Sequence, residues 1–336
     1  MTAEINNIII KSILMSGVIP MGKFIENIFR TKVFCRCDDK GTAYYFSAKD
    51  FEGLNAVPYS FVSSKGDTLK GFFYYYDNPI ENRIVVFDHG FFGGHLSYMK
   101  EIEMLCRKGF LVFSYDHTGC MESEGESANG PGQSLTDLND CISTLKKEEK
   151  LNGYDFSVMG HSWGGFSTLN ISAFHPDISH VVVLSGFVSA DLLLSQFLSG
   201  PLAFLKKKLI KIEEKYNPES LKVNAVDSLK SSKAKILLIY SDNDPAVKKA
   251  VHFDTLQKGL GNKDNVKLML VSGKGHNPNY TKEAVKALAD YTAAVNSKRK
   301  ELTTAEAKKA FVESFDWNKI TEQDEEVWAE IFKALD

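Results

Sequence analysis

The chain has 336 residues, which suits one large α/β domain or two average ones. Its 43% hydrophobic and 25% charged residues are ordinary for a soluble globular protein. A net charge of −3, with no basic run interleaved with aromatics, argues against a nucleic-acid partner.

The first stretch, Ile5 to Phe29, is apolar-rich, but Glu4 precedes it and Asn6, Asn7, Lys11 and Ser12 interrupt it. No uninterrupted apolar run approaches the ~18 residues of a membrane span, and neither a basic leader nor a small-residue cleavage site stands out. An amphipathic helix packed on the body is expected, with peripheral membrane contact left open. Residues 1–56 together read as an N-terminal extension. Cys35-x-Cys37 is too closely spaced for a typical zinc pair and has no second pair, so no metal is assigned. Five cysteines (Cys35, Cys37, Cys106, Cys120 and Cys141) are an odd and small number, which fits a reduced, cytoplasmic protein.

From Val57 to Ser64 and from Thr68 to Tyr76, two strand-like runs flank Lys65-Gly66-Asp67 and predict a β-hairpin. Strands near 83–88, 110–115, 155–160, 180–185, 235–240 and 266–271 then alternate with helical stretches. That alternation predicts a mostly parallel, doubly wound α/β sheet. Between Ser185 and Ala234 the chain is too long for a simple crossover, and it holds apolar helical stretches at 191–198 and 201–205. Residues 187–232 are therefore expected to form a small helical cap, and 57–296 the domain that carries it. After the basic linker Lys298-Arg299-Lys300, residues 297–336 form a C-terminal helical extension. Thr303 with Glu306 reads as a capping box, and Thr321 with Asp324 as a looser one. The apolar side of these helices, including Phe311, Trp317, Trp328 and Ile331, is expected to pack on the body, a homo-oligomer contact being left open.

The chemistry centres on Gly160-His161-Ser162-Trp163-Gly164-Gly165. A short strand (Tyr154 to Met159) precedes it and a helix-like stretch (Phe166 to Phe174) follows. G-x-S-x-G in that setting predicts a sharp turn that presents the Ser162 hydroxyl above the sheet, with glycines where a Cβ has no room. A hydrolytic serine needs a histidine to take its proton and a carboxylate to orient the histidine. His276 lies in the Gly-rich loop after the strand at 266–271, and Asp242 and Asp244 lie in the turn after the strand at 235–240. Asp244, just before Pro245, is favoured; Asp242 is the second candidate and Asp191 a remoter third, and one carboxylate is expected to cap a helix starting near Pro245. The oxyanion of an acyl-transfer intermediate needs two N–H donors. Trp163 supplies one by position, and the loop His89-Gly90-Phe91-Phe92-Gly93-Gly94 the other, with Phe91 favoured and Phe92 in reserve. His89 is read as a residue that holds this loop by a local hydrogen bond.

The segments Asp88 to Gly94, Gly160 to Gly165, Ser241 to Pro245 and Gly273 to His276 resemble the α/β-hydrolase superfamily over about residues 57–296. Within it the chain is most similar to the monoacylglycerol lipase and serine aminopeptidase-like branch, whose pattern Asp-x-Arg-Gly-His-Gly-x-Ser-x-Gly aligns with Asp116 to Gly125. Asp116, Gly119, Ser123 and Gly125 match; Thr118, Cys120 and Met121 depart. That loop borders the acyl pocket in relatives, so the departures bear on substrate identity. The resemblance implies an α/β-hydrolase fold and a serine hydrolase with Ser162 as nucleophile, His276 as base and Asp244 as orienter. A carboxylic ester with an apolar acyl or alcohol part is the expected small-molecule substrate, and no cofactor is implied. Aminopeptidase, amidase or acyltransferase activity on the same residues, and a catalytically silent binding protein on the same fold, are the alternatives.

Overall fold

The computed structural model describes residues 21–77, 79–198 and 203–336, without the side chains of Met21 and Phe204. Of the helix expected over Ile5 to Phe29, residues 5–20 lie outside the described residues, and Met21–Ile28 is helical. Eight strands form one sheet: β1 (Asn55–Val62), β2 (Thr68–Tyr75), β3 (Arg83–Asp88), β4 (Leu111–Tyr115), β5 (Asp155–His161), β6 (His180–Leu184), β7 (Lys235–Ser241) and β8 (Val266–Val271). Their spatial order is β1-β2-β4-β3-β5-β6-β7-β8, with β1, β2 and β4 paired antiparallel and every later pairing parallel. The hairpin at 57–76, the six later strands and the parallel sheet all match the sequence expectation.

The central strands are short apolar runs because both of their faces are covered. Successive side chains point to opposite faces. Val181 and Val183 of β6 therefore join one core, and Val182 and Leu184 the other. The first core is closed by α3 (Gln133–Leu145), α4 (Trp163–Asn170), α7 (Ala225–Ser231) and α8 (Phe253–Leu260). On the second face lie α2 (Met99–Arg107) and, from the far end of the chain, α12 (Glu325–Leu335). Trp328, Ile331 and Leu335 of α12 are fully buried there, worth about 1.5–3 kcal/mol each. The outermost strand β1 carries Pro58, which an edge strand tolerates because the N–H that proline lacks can face away from the ladder there.

Three further elements bear on the site. The described start of the chain is α1 (Met21–Ile28), followed by a wider turn at Phe29–Val33, and it buries Ile25, Ile28, Phe29, Val33 and Phe34 in the first core. Between β6 and β7 run α5 (Ala190–Phe197) and α6 (Ala203–Tyr216) before α7 returns to the helix layer against α4 and α8. Helix α1 packs on α6, with Glu26 bonded to Lys215 and Tyr216 and the Arg30 guanidinium over the Tyr216 ring.

Helices α9 (Lys282–Ser297), α10 (Ala305–Glu313) and α11 (Trp317–Ile320) lead to α12. Two capping assignments shift by a few residues. Thr304, not Thr303, accepts the capping N–H of α10, and Asp324 itself caps α12. Among the described residues, no helix is long and apolar enough to cross a membrane.

Candidate active site

Ser162 stands between β5 and α4 with φ 56° and ψ −107°, a backbone region that non-glycine residues rarely enter. Backbone crowding imposes it. A Cβ on Gly160 would run into the Gly164 carbonyl and the Thr168 hydroxyl, and one on Gly164 into the backbone of Asp88. The turn is closed by Ser162 N–H donating to Leu184 O at 2.9 Å and Phe166 N–H to Ser162 O at 3.0 Å. The helix after the serine begins at Trp163, three residues earlier than its sequence pattern suggested.

The loop after β8 brings His276 to this turn. Its Nε2 lies 2.8 Å from Ser162 Oγ and its Nδ1 2.7 Å from Asp244 Oδ2. A carboxylate opposite Nδ1 sets the tautomer: Nδ1–H donates to Asp244, and Nε2 is left to accept the serine proton. Burial pushes the Asp244 carboxyl up, but His276 and the amides of Val247 and Ala246 outweigh it and leave the pKa below the ordinary value. Those amides donate to Oδ1 at 3.0 and 2.7 Å, so Asp244 holds its own turn as well as the ring. No helix starts near Pro245; α8 begins only at Phe253.

The other two acids lie elsewhere. Asp242 accepts from Ser272 Oγ and the Gly273 amide, at 2.8 and 2.9 Å, and so clamps the foot of the His276 loop. Asp191 pairs with Lys206 on α6.

The amide of Trp163 opens α4 and therefore has no intrahelical acceptor. Phe91 borders the same cavity as Ser162, its ring edge-on to Trp163 with centroids 5.2 Å apart. Phe92, the reserve candidate, has a left-handed backbone at φ 67°. His89 holds the loop: Nδ1–H donates to Gly90 O at 2.8 Å, and Nε2 accepts from the His117 amide at 3.0 Å. Burial, then the neighbouring His117, lowers its pKa to about 3, so the ring is neutral.

Two residues that sequence reasoning passed over tie these parts together. His161 is also neutral, its pKa lowered to about 3 by burial and then by His276. Its Nε2–H donates to the His276 carbonyl at 2.7 Å, so Nδ1 must accept from the Tyr98 hydroxyl at 2.7 Å. Tyr98 in turn accepts the Gly90 N–H at 3.0 Å. A continuous chain thus runs from the Phe91 loop to the His276 loop. The position of His161 inside the Ser162 motif was the one available signal; Tyr98 carried none.

Beneath the site, His117 lies between Asp88 and Asp137. Its Nε2 is 3.0 Å from Asp88 Oδ1 (an ion-pair contact rather than an aligned hydrogen bond) and its Nδ1 3.2 Å from Asp137 Oδ2. Burial pushes its pKa down, but the two carboxylates win and raise it to about 10. Asp88 also bonds Ser167 of α4.

Above Ser162 opens a chamber of about 750 Å³, counting its mouth. Trp163, Phe91 and Phe187 line its inner part; Leu193, Leu194, Phe197 and Leu198 reach it from α5 and its end, and Leu209 from α6. Phe29, Val33 and Phe34 supply a further wall, so the N-terminal segment is part of the pocket. The departing loop at Asp116–Gly125 contributes none of this lining. Thr118 bonds Asp137, and Cys120 is buried beside Cys37.

Comparison with known proteins agrees with this architecture. A family model described as serine aminopeptidase, S33, matches residues 80–261. A comparison with curated protein sequences returns no match. Among solved structures, an esterase of Pyrococcus furiosus superposes with a TM-score of 0.55 at 18% identity, over 80% of this chain and 97% of that one. A second crystal form of that esterase gives 0.56 at 17% identity, over 77% and 96%. These likenesses speak for the fold; the match to more than half of the chain speaks for the family. The chain belongs to the serine aminopeptidase S33 family and has the α/β-hydrolase fold.

Proposed function

We propose that this protein is a serine hydrolase cleaving carboxylic esters with an apolar acyl or alcohol part. The observation that carries the reading is an unbroken Ser162–His276–Asp244 hydrogen-bond chain opening directly into an apolar chamber. His276 takes the Ser162 proton as Oγ attacks the ester carbonyl, and Asp244 stabilises the resulting imidazolium. The amides of Phe91 and Trp163 hold the oxyanion, with Phe92 in reserve. His276 then protonates the leaving alcohol, and water activated by the same ring releases the acid.

The chamber favours ester over aminopeptidase chemistry. An aminopeptidase must hold a free α-ammonium group, for which a carboxylate is the usual partner. Among the described residues, none of the side chains lining the chamber is acidic. Helices α5 and α6, with α1 against them, act in this reading as the cap that measures the acyl part.

The test is fluorophosphonate labelling of wild type and Ser162→Ala, with turnover of p-nitrophenyl esters set against aminoacyl anilides. Labelling confined to wild type and ester turnover above anilide turnover is the expected result. An unlabelled wild type would remove the serine mechanism; faster anilide turnover would move the reading to an aminopeptidase.

A further inference from the structure

The loop that carries His276 is irregular, with Gly273 and Gly275 at φ 75° and 56°. Such a segment has no ladder of its own to stiffen it, yet the His276 ring must stay within hydrogen-bond reach of two groups at once. From within, the loop is held by Asp242, by Ser241 Oγ and Asn243 Oδ1 on the amides of Lys274 and Gly275, and by His161 on the His276 carbonyl. From outside it is held by a stretch close to the end of the chain.

That stretch is Glu322–Asp324. Thr281 N–H donates to Glu322 O at 3.1 Å and Asp324 N–H to Asn279 O at 2.8 Å, an antiparallel rung centred on Tyr280 and Gln323. Side chains continue the contact. Asn279 Nδ2 donates to Gln323 Oε1 at 2.8 Å and to Glu101 Oε1 of α2 at 2.9 Å, and Trp328 Nε1 donates to the same Gln323 oxygen at 2.8 Å. On the other side of His276 the ammonium of Lys274, a residue only 5% exposed, meets the Asp324 carboxylate. A buried ammonium needs such a partner, because stripping its water without one is costly.

We propose that Gln323 and Asp324 are positioning residues for His276, resting on the reading of Ser162, His276 and Asp244 as the reacting groups. They grip Asn279 and Lys274, which flank the histidine on either side. Their own position is fixed by α12, whose Trp328, Ile331 and Leu335 are buried in the second core. The stiffness of that core is thereby passed to a loop that lacks its own. It matters because an error of about 1 Å in a reacting group can cost on the order of a hundredfold in rate.

The test uses the full-length protein. Lys274→Met keeps the apolar stem and removes the charge. Asp324→Asn removes the opposite charge while keeping a residue that caps α12 well. Each should lower kcat for p-nitrophenyl butyrate by about 5- to 50-fold with KM changed less than about twofold. Lys274→Arg should recover most of the loss, and the Met/Asn double variant should be little worse than either single one, because both break the same contact. Hydrogen exchange should quicken in the peptide covering 272–281 and stay unchanged in β5 and β6. Unchanged kcat and loop protection, exchange quickened throughout the protein, or an arginine variant no better than methionine would each overturn the proposal. Ser162→Ala, run in parallel, separates the two readings. If it turns over ester at the wild-type rate, the site assignment falls and takes the positioning role of Gln323 and Asp324 with it. If it is inactive while the Lys274 and Asp324 variants retain kcat and loop protection, only the positioning role falls.

Discussion

The turn that presents Ser162 is walled in by backbone: the carbonyl of Gly164, the main chain of Asp88 and the strand end at Leu184 leave it one conformation. The loop that presents His276 is walled in largely by side chains from separated stretches of chain, among them Asp242, Asn243, His161, Gln323 and Asp324. The first has its motif in six consecutive residues and is closed by backbone of the two neighbouring strands. The second is assembled from parts that are neighbours only after folding. A local device withstands the loss of its functional side chain; an assembled one is sensitive to each of its supports.

Ser162→Ala is the strongest break of that comparison on the local side. Turnover should fall by roughly a millionfold, while the thermal midpoint stays level or rises because the turn is shaped for presentation rather than stability. Kinetics and calorimetry on one preparation check both halves, and a clear drop in the midpoint would mean that the hydroxyl supports the fold.

On the assembled side, the two carboxylates of the β7 turn separate orienting from clamping. Asp244→Asn should lower kcat by about 10⁴-fold, since His276 loses the charge that sets its tautomer. Asp242→Asn weakens only the clamp on Ser272 and Gly273 and should cost far less. Steady-state kinetics on the pair decides between them, and the reverse ranking would transfer the orienting role to Asp242.

The footing beneath the Ser162 turn gives a pH test. The His117 pKa is raised to about 10, against 6.5 for an unperturbed histidine. A raised pKa contributes stability that is complete below about pH 6.5 and is lost as pH climbs through about 10. Its magnitude is at most a few kcal/mol. The wild-type midpoint should therefore fall between pH 7 and pH 10 more steeply than that of His117→Gln, which is less stable at neutral pH but flatter. Parallel slopes in thermal melts would show that the ring is uncharged in the folded protein.

The smallest effect sharpens the role of the roof. Leu193→Ala and Phe197→Ala should each cost roughly ten- to a hundredfold in kcat/KM for long acyl esters, from about 1–3 kcal/mol of lost apolar contact. Acetyl esters should be nearly unaffected. A uniform loss across chain lengths would place these residues in support of the fold rather than against substrate. Phe204, on the neighbouring helix α6, invites the same test, although its side chain lies outside the described residues.

How much of this was legible in the sequence follows from the same contrast. Each central strand was readable because a run such as Val181 to Leu184, buried on both faces, has few other ways to satisfy its side chains. The Ser162 turn was readable because its motif is contiguous, although the crowding that demands Gly164 comes from Asp88 on the neighbouring strand. The order along the chain pointed to His276 and Asp244 as candidates; the structure brings both to Ser162, with Asp244 bonded to the ring and Asp242 to the loop. The caps of α10 and α12 shifted by a few residues because several short polar side chains compete there, and packing chooses among them.

Composition and local pattern by themselves determined the strands, the Ser162 motif and the set of residues that could serve it, because those features are carried by contiguous runs of residues. Tertiary structure alone decided that Phe29, Val33 and Phe34 wall the chamber, that Tyr98 and His161 link the Phe91 and His276 loops, and that Gln323 and Asp324 brace the His276 loop. The reason is physical. Side-chain hydrogen bonds and apolar walls are chosen by distance in space, and partners distant in sequence leave no periodic trace in the chain by which to find them.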